Sequence, residues 1–166
     1  MRWLIAVLAL AGVVASSLAL REHYRTEASP CSINEKWDCG TVNKSRYATI
    51  GGHFVRPGPP DVSAPGQKSW LPAVIGDIPI ADVGIAGYIL LGALALMKRW
   101  RLLAAAAIPA LAFSLYLAYI EQNTLGVWCI YCVISLGVIS LITLLALFTL
   151  VMDWQRTRQS RTQSST

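Results

Sequence analysis

Residues 125 to 152 run for 28 positions without one charged side chain. A stretch that apolar cannot fold with a polar outer face; it has to be enclosed by protein or by lipid. Three further uncharged blocks precede it, at 3–20, 83–97 and 102–120, and the second reaches back to Ile78 past Pro79 and Asp82. A membrane-crossing helix needs ~20 apolar residues. The blocks therefore predict an all-α membrane protein, a bundle of four transmembrane helices at about 3–20, 80–97, 102–120 and 125–152. A long loop, 21–79, joins the first two, and residues 155–166 form a polar tail expected to be disordered. The composition agrees, being 55% hydrophobic and 14% charged, against ~25% charged in a soluble domain. At 1.5 Å per residue the fourth block is ~42 Å long, beyond the ~30 Å hydrocarbon core, so it must tilt or protrude. The first block resembles a signal peptide in its Arg2 and the small residues of "VASSLA", but 18 uncharged positions are long for a signal core, which favours a retained helix.

Charge placement orients the bundle. Lys98, Arg99 and Arg101 lie between the second and third blocks, Arg156, Arg158 and Arg161 follow the fourth, and Arg2 precedes the first. Short basic segments stay in the cytoplasm. Both termini are thus expected on the cytoplasmic side of the cell's inner membrane. The basic excess, a net +5, is then a topology signal and not a nucleic-acid site. Loop 21–79 and the short "EQNT" connection face outward. Within the long loop, 51–76 holds five prolines and five glycines and reads as an irregular insertion. His53 reads as a solvated loop histidine, and the stretch after Trp70 as an interfacial segment. Gly84, Gly87 and Gly92 are expected to allow close helix packing, and Pro109 to kink the third helix.

All four cysteines then fall on the outer, oxidising face, where disulfides persist. Cys31 and Cys39 form a C-x7-C in the loop, and Cys129 and Cys132 a C-x-x-C at the head of the last block. With Asn123 or Thr124 as cap, Cys129 would lie in the first two turns of the fourth helix, where the helix dipole favours a thiolate. Cys132 would sit one turn deeper on the same face. A sulfur there can meet a lipid-soluble oxidant, and a quinone is the evident two-electron acceptor. Structural disulfides and a zinc site remain open readings, although the spacing is not that of a zinc ribbon.

The combination resembles the vitamin K epoxide reductase family over most of the chain. The carrying features are the loop C-x7-C, the run "GTVNKSRY" with Ser45 six residues after Cys39, and "ADVGIAGY" ending in Tyr88. They continue with "YLAYI" at 116–120 and, eight residues on, "CIYC". The four-helix disulfide oxidases of the bacterial periplasm carry their two cysteine pairs in the opposite order. The resemblance implies that a thioredoxin-like protein delivers electrons to Cys31, that Cys39 passes them to Cys129, and that Cys132 acts on quinone of menaquinone, ubiquinone or phylloquinone type. It implies a quinone pocket touched by Cys132, Ser45, Tyr88 and Leu136. Leu136 stands where the animal enzymes have Tyr, and Ile80 where they have Asn, which favours plain quinone reduction over epoxide reduction. Many bacterial relatives carry a fused thioredoxin-like domain; here the partner is expected to be a separate extracytoplasmic protein. The alternatives are a vitamin K epoxide or quinone reductase in the strict sense, an enzyme running in the reductive direction, and a non-catalytic membrane protein with structural or metal-binding cysteines.

Overall fold

The computed structural model describes residues 1–27, 29–34, 36–53 and 73–163. Most of the Pro/Gly-rich insertion and the last three residues of the tail lie outside the described residues. The fold is helical, and the described residues form no strand: α1 (Arg2–Tyr24), α2 (Cys39–Lys44), α3 (Ala73–Gly76), α4 (Ile80–Leu96), α5 (Trp100–Ile120) and α6 (Ile130–Gln163), with short 3-10 turns at Arg46–Ala48 and Gly51–His53. Three of these helices, Arg2–Tyr24, Trp100–Leu125 and Ile130–Gln155, are long and apolar enough to cross a membrane, the second counting a π-helical turn at its end. α4 is as apolar but has 17 residues. At 1.5 Å per residue that is about 25 Å, short of a ~30 Å core without thinning or tilt. The helix of α6 also continues through Gln163, past the expected boundary of the tail at 155.

The four long helices pack side by side. The buried positions of α1 are Ile5, Ala9, Gly12, Ala15, Ser16, Ala19 and Glu22. They recur every three or four residues, and all but the first and last are small. Small residues let backbones approach where lipid supplies no hydrophobic drive between helices. α4 meets this stripe antiparallel. A Cβ on Gly12 would enter the Tyr88 ring, one on Gly84 would lie 2.9 Å from Ser16 Oγ, and one on Gly92 would lie 3.3 Å from Ala9 Cβ. Gly87 is different: nothing stands within 4 Å of where its Cβ would be. Of the three glycines expected to serve helix packing, two do, and Gly87 instead faces a cavity. Gly12, which the sequence reading passed over, has the tightest approach of those on these helices.

The half of the bundle farther from the cysteines is dry. Ile5, Leu91, Ala95, Leu103, Ala104, Ala107, Ile142 and Ala146 fill it, and Ile5, Ala95, Leu103, Ala107, Ile142 and Ala146 have no exposed surface. Thr143 is buried there and donates its hydroxyl to the carbonyls of Ile139, at 2.8 Å, and Ala107, at 3.4 Å. At this end α4 stops in a Schellman motif. The Lys98 and Arg99 amides donate to Ala95 and Leu94 at 3.1 and 3.0 Å, and Lys98 adopts φ 57°. That turn folds α5 back beside α4, and α5 runs through Pro109 to Ile120.

The two glycines of the α1–α4 pair should respond oppositely to one methyl group. Gly12→Ala should lower stability by about 1–3 kcal/mol, the usual cost of overpacking. Gly87→Ala should leave the thermal midpoint unchanged or raise it, since Ala suits a helix interior better by up to ~1 kcal/mol. Thermal unfolding of the detergent-solubilised protein, followed by helix signal, checks both.

Candidate functional site

The end of α1, the starts of α4 and α6 and the end of α5 meet at one end of the bundle, and the cysteines gather there. The loop pair comes first. Asp38 caps α2, its carboxylate accepting from the Gly40 and Thr41 amides at 3.0 and 3.2 Å and from the Ser32 and Thr41 hydroxyls at 2.6 Å each. Those hydroxyl bonds, Ser32's first, hold its pKa below the usual carboxylate value. The cap thus fixes Cys39 as the first residue of α2. Cys39 is disulfide-bonded to Cys31, with Cα atoms 5.7 Å apart, inside the normal disulfide range.

Two backbone hydrogen bonds fasten this segment to the far end of the chain. The Asp38 amide donates to Trp128 O at 3.1 Å, and the Trp128 amide to Lys36 O at 2.8 Å. Trp128 is therefore bridged to the loop, outside any helix. A helix capped by Asn123 or Thr124 would hold Cys129 in its first two turns. The structure corrects this. Residues 121–125 continue α5 as a π-helical turn, in which the Asn123 side-chain amide donates back to Tyr119 O at 3.0 Å, and Gly126 ends the turn at φ 68°. The last helix begins at Ile130. Cys129 immediately precedes it, its carbonyl accepting the Val133 amide at 3.0 Å. The physical reason is competition: both backbone groups of Trp128 bond to the segment before Cys39, and the Cys129 amide to Glu121, in place of a helix of their own.

Cys31, Cys39 and Cys129 share one buried cluster with Val42, packed by Leu125, Ile130, Tyr131 and Cys132. Cys39 and Cys129 have no exposed surface, and Cys31 keeps 6%. Cys129 and Cys132 are free thiols within hydrogen-bonding reach of each other. Two residues that the sequence reading missed organise them. Asn43 is buried, and its side-chain amide donates to Cys39 O at 2.9 Å and to Cys129 Sγ at 3.4 Å. The Asn43 backbone carbonyl in turn meets Nδ1 of His23 at 2.5 Å. Glu121 is buried to 3% exposure. Its Oε2 accepts the Cys129 amide at 3.1 Å, and its carboxylate lies within hydrogen-bonding reach of the Cys132 sulfur. Nothing in the sequence marked Asn43, which reads as one more polar loop residue. Glu121 did carry a signal: it is a lone carboxylate at the end of a 19-residue uncharged block, where an ionisable group is costly.

Cys129 stands between the spanning segments, and its pKa is lowered from that of an ordinary thiol. The hydrogen bond from Cys132 is the largest cause, and the Asn43 amide adds to it against burial.

Beside the thiols lies a cavity of about 250 Å³, walled mainly by apolar side chains of α1, α4, α5 and α6. Cys132, Ser45, Tyr88 and Ile80 all line it, together with Glu121 and His23. Tyr88 donates to Ser135 O at 2.8 Å, and Ser45 to Val42 O at 2.8 Å. Leu136 is not among the lining residues and packs against the bundle core. His53 is not the solvated loop residue that its glycine neighbours suggested. It is half-buried, its Nε2 2.9 Å from Tyr47 O and its ring against Phe113 and Tyr116 of α5. That burial lowers its pKa below the usual imidazole value. Among the described residues, no three His, Cys, Asp or Glu side chains gather as a metal site.

The model of the vitamin K epoxide reductase family matches residues 3–149. The chain belongs to that family. The match takes in both cysteine pairs, the capped α2 and all but the end of α6. Membership brings oxidoreductase chemistry, of the general kind that links disulfides to quinones. No curated protein matches the chain.

If the hydrogen bonds to Cys129 set its acidity, removing them must raise its pKa. Thiolate absorbance, followed as pH is raised with Cys31 and Cys39 kept oxidised, should first appear below the ~8.5 of a free thiol. Cys132→Ala should move that onset to higher pH, and Asn43→Leu should move it in the same direction by less.

Proposed function

We propose that this protein is a quinone-linked thiol–disulfide oxidoreductase of a cell's inner membrane. In this reading α1, α4, α5 and α6 all span the bilayer, with both termini cytoplasmic and the cysteines outside. Electrons from a separate thioredoxin-like dithiol protein pass through Cys31/Cys39 and Cys129/Cys132 to a quinone, so that the partner's disulfide is formed. The observation that carries the reading is the side-chain amide of Asn43, which bonds Cys39 and Cys129 at once beside a cavity that Cys132 lines.

The residues fit the parts. Only Cys31 of the loop pair retains exposure, which suits attack by an external thiolate and formation of a mixed disulfide there. Cys39, released as the resolving thiol, lies in the same buried cluster as Cys129 and can attack a Cys129/Cys132 disulfide at Cys129. Asn43 stays bonded to the Cys129 sulfur as charge develops on it. Cys132 is then the thiol facing the cavity. The cavity fits a quinone ring in being mainly apolar, flanked by the Tyr88 and Ser45 hydroxyls and open beside Gly87. A bound quinone would supply the two-electron oxidising power. With Ile80 in the lining, where the animal enzymes have Asn, plain quinone reduction is the reading over epoxide reduction.

The test is quinone reduction by the purified protein with a dithiol donor, followed by quinone absorbance. Cys132→Ser should abolish turnover with every donor, a loss of at least ~10³-fold. Cys31→Ser should abolish it with a thioredoxin-like donor and spare it with a small dithiol that reaches Cys129 and Cys132 directly. Wild-type turnover by Cys132→Ser would refute the electron exit. Sidedness is checked separately. A reporter active only outside the cytoplasm should work when fused after Tyr47 and be silent when fused after Arg99.

A further inference from the structure

Closing the Cys129/Cys132 disulfide is a proton problem as much as an electron problem. Two S–H bonds break and one S–S bond forms, releasing two electrons and two protons. Resting on the function proposed above, the electrons and protons go to a quinone, which becomes the hydroquinone. A proton leaving Cys132 cannot go straight to water, because the sulfur faces an apolar cavity. It needs a carrier within hydrogen-bonding reach.

We propose that Glu121 is that carrier, a catalytic base that takes the Cys132 proton as the disulfide closes and returns it on the cavity side. Three features support it. Glu121 is buried to 3% exposure, and its carboxylate reaches both cysteines of the motif, through the Cys129 amide at 3.1 Å and the Cys132 sulfur. It also lines the cavity itself. It begins the π-helical turn Glu121–Leu125, the irregular helix geometry that recurs at functional sites. What sets Glu121 apart from the other titratable lining residues is that its carboxylate bonds to both cysteines of the motif. From α1 the titratable lining residue is His23, whose Nδ1 is held by Asn43 O. From the segment after α2 it is Tyr47, and from α4 Tyr88, bonded to Ser135. From α6 they are Tyr131 and Cys132, and α5 adds none. The described lining holds no Asp, Lys or Arg. If holding the Cys129 amide were the whole task, a neutral amide side chain would do it; a carboxylate adds the ability to take a proton.

Glu121→Gln separates the two roles, since it keeps an acceptor for the Cys129 amide but cannot carry a proton. Quinone reduction should fall by about 10²–10⁴-fold, the usual range for loss of a positioned base. The residual rate should climb about tenfold per pH unit, as the thiol then loses its proton to hydroxide, whereas wild type is flatter. A second readout needs no quinone. Infrared difference spectra between the dithiol and disulfide forms of Cys129/Cys132, set with a dithiothreitol buffer, should show a carboxyl change in wild type. That change should be absent in Glu121→Gln and kept in Glu22→Gln, which alters the other buried carboxylate among the described residues. A Glu121→Gln rate within threefold of wild type, with the same pH profile, would overturn the proposal. So would a carboxyl signal that survives it. Should Glu121→Gln fail to fold, the wild-type and Glu22→Gln spectra decide, and no carboxyl change in either would overturn it. Failure of wild type to reduce quinone would sink the function proposed above, while the quinone-free spectra would still test Glu121.

Discussion

Two backbone hydrogen bonds, from Asp38 to Trp128 and from Trp128 to Lys36, hold the redox end of this protein together. They join segments that the chain separates widely; Asn43 and Cys129, which meet because of them, are 86 positions apart. Closing so long an interval costs conformational entropy. The cost is offset locally. The Cys31–Cys39 disulfide and the Asp38 cap narrow the conformations of the loop segment before it docks, and docking buries Val42 with three cysteines. The same bonds hold Trp128 outside the helix, so that Cys129 precedes the last helix and presents its sulfur to Asn43.

The bundle below is uneven, and the unevenness makes the site. At the far end Ile5, Leu103 and Ile142 fill the space between helices completely. Toward the cysteines, α1 and α4 offer Ala15, Ser16, Gly84 and Gly87, and small side chains that do not meet a large partner leave a void. Tyr88 marks the boundary. Its ring presses on Gly12, and its hydroxyl reaches across to Ser135. A void walled by apolar atoms stays available to an apolar ring, because water would find few partners there.

Polar groups in such surroundings have to be matched, since an unpaired one costs several kcal/mol. Asn43, Tyr88, Ser45 and Glu121 each have a partner within 3.1 Å. The partners connect the two cysteine pairs to each other and to the cavity wall. Rigidity and chemistry meet in Asn43: the side-chain amide that holds Cys129 against Cys39 also stabilises its anion.

The sequence by itself determined the helices and the cysteine pairs. Uncharged blocks of 15 to 28 residues have one stable form in lipid, because a helix alone satisfies its own backbone; α1, α4 and α5 lie close to where the blocks put them. The C-x7-C, the C-x-x-C and the motif around Ser45 and Tyr88 were enough to indicate the family. Only the tertiary structure decided which residues meet. The start of the last helix moved to Ile130 because residues 126–129 found hydrogen bonds elsewhere. Gly87 went to the cavity and Gly12 to the interface because rotation about a helix axis is set by the neighbouring helix, not by composition. His53 left the solvent for the aromatic face of α5. Asn43 and Glu121 act through contacts with cysteines 86 and 8 positions away, one across half the chain and the other around a π-helical turn. No local pattern encodes such a contact, because it exists only once the backbone has closed around it.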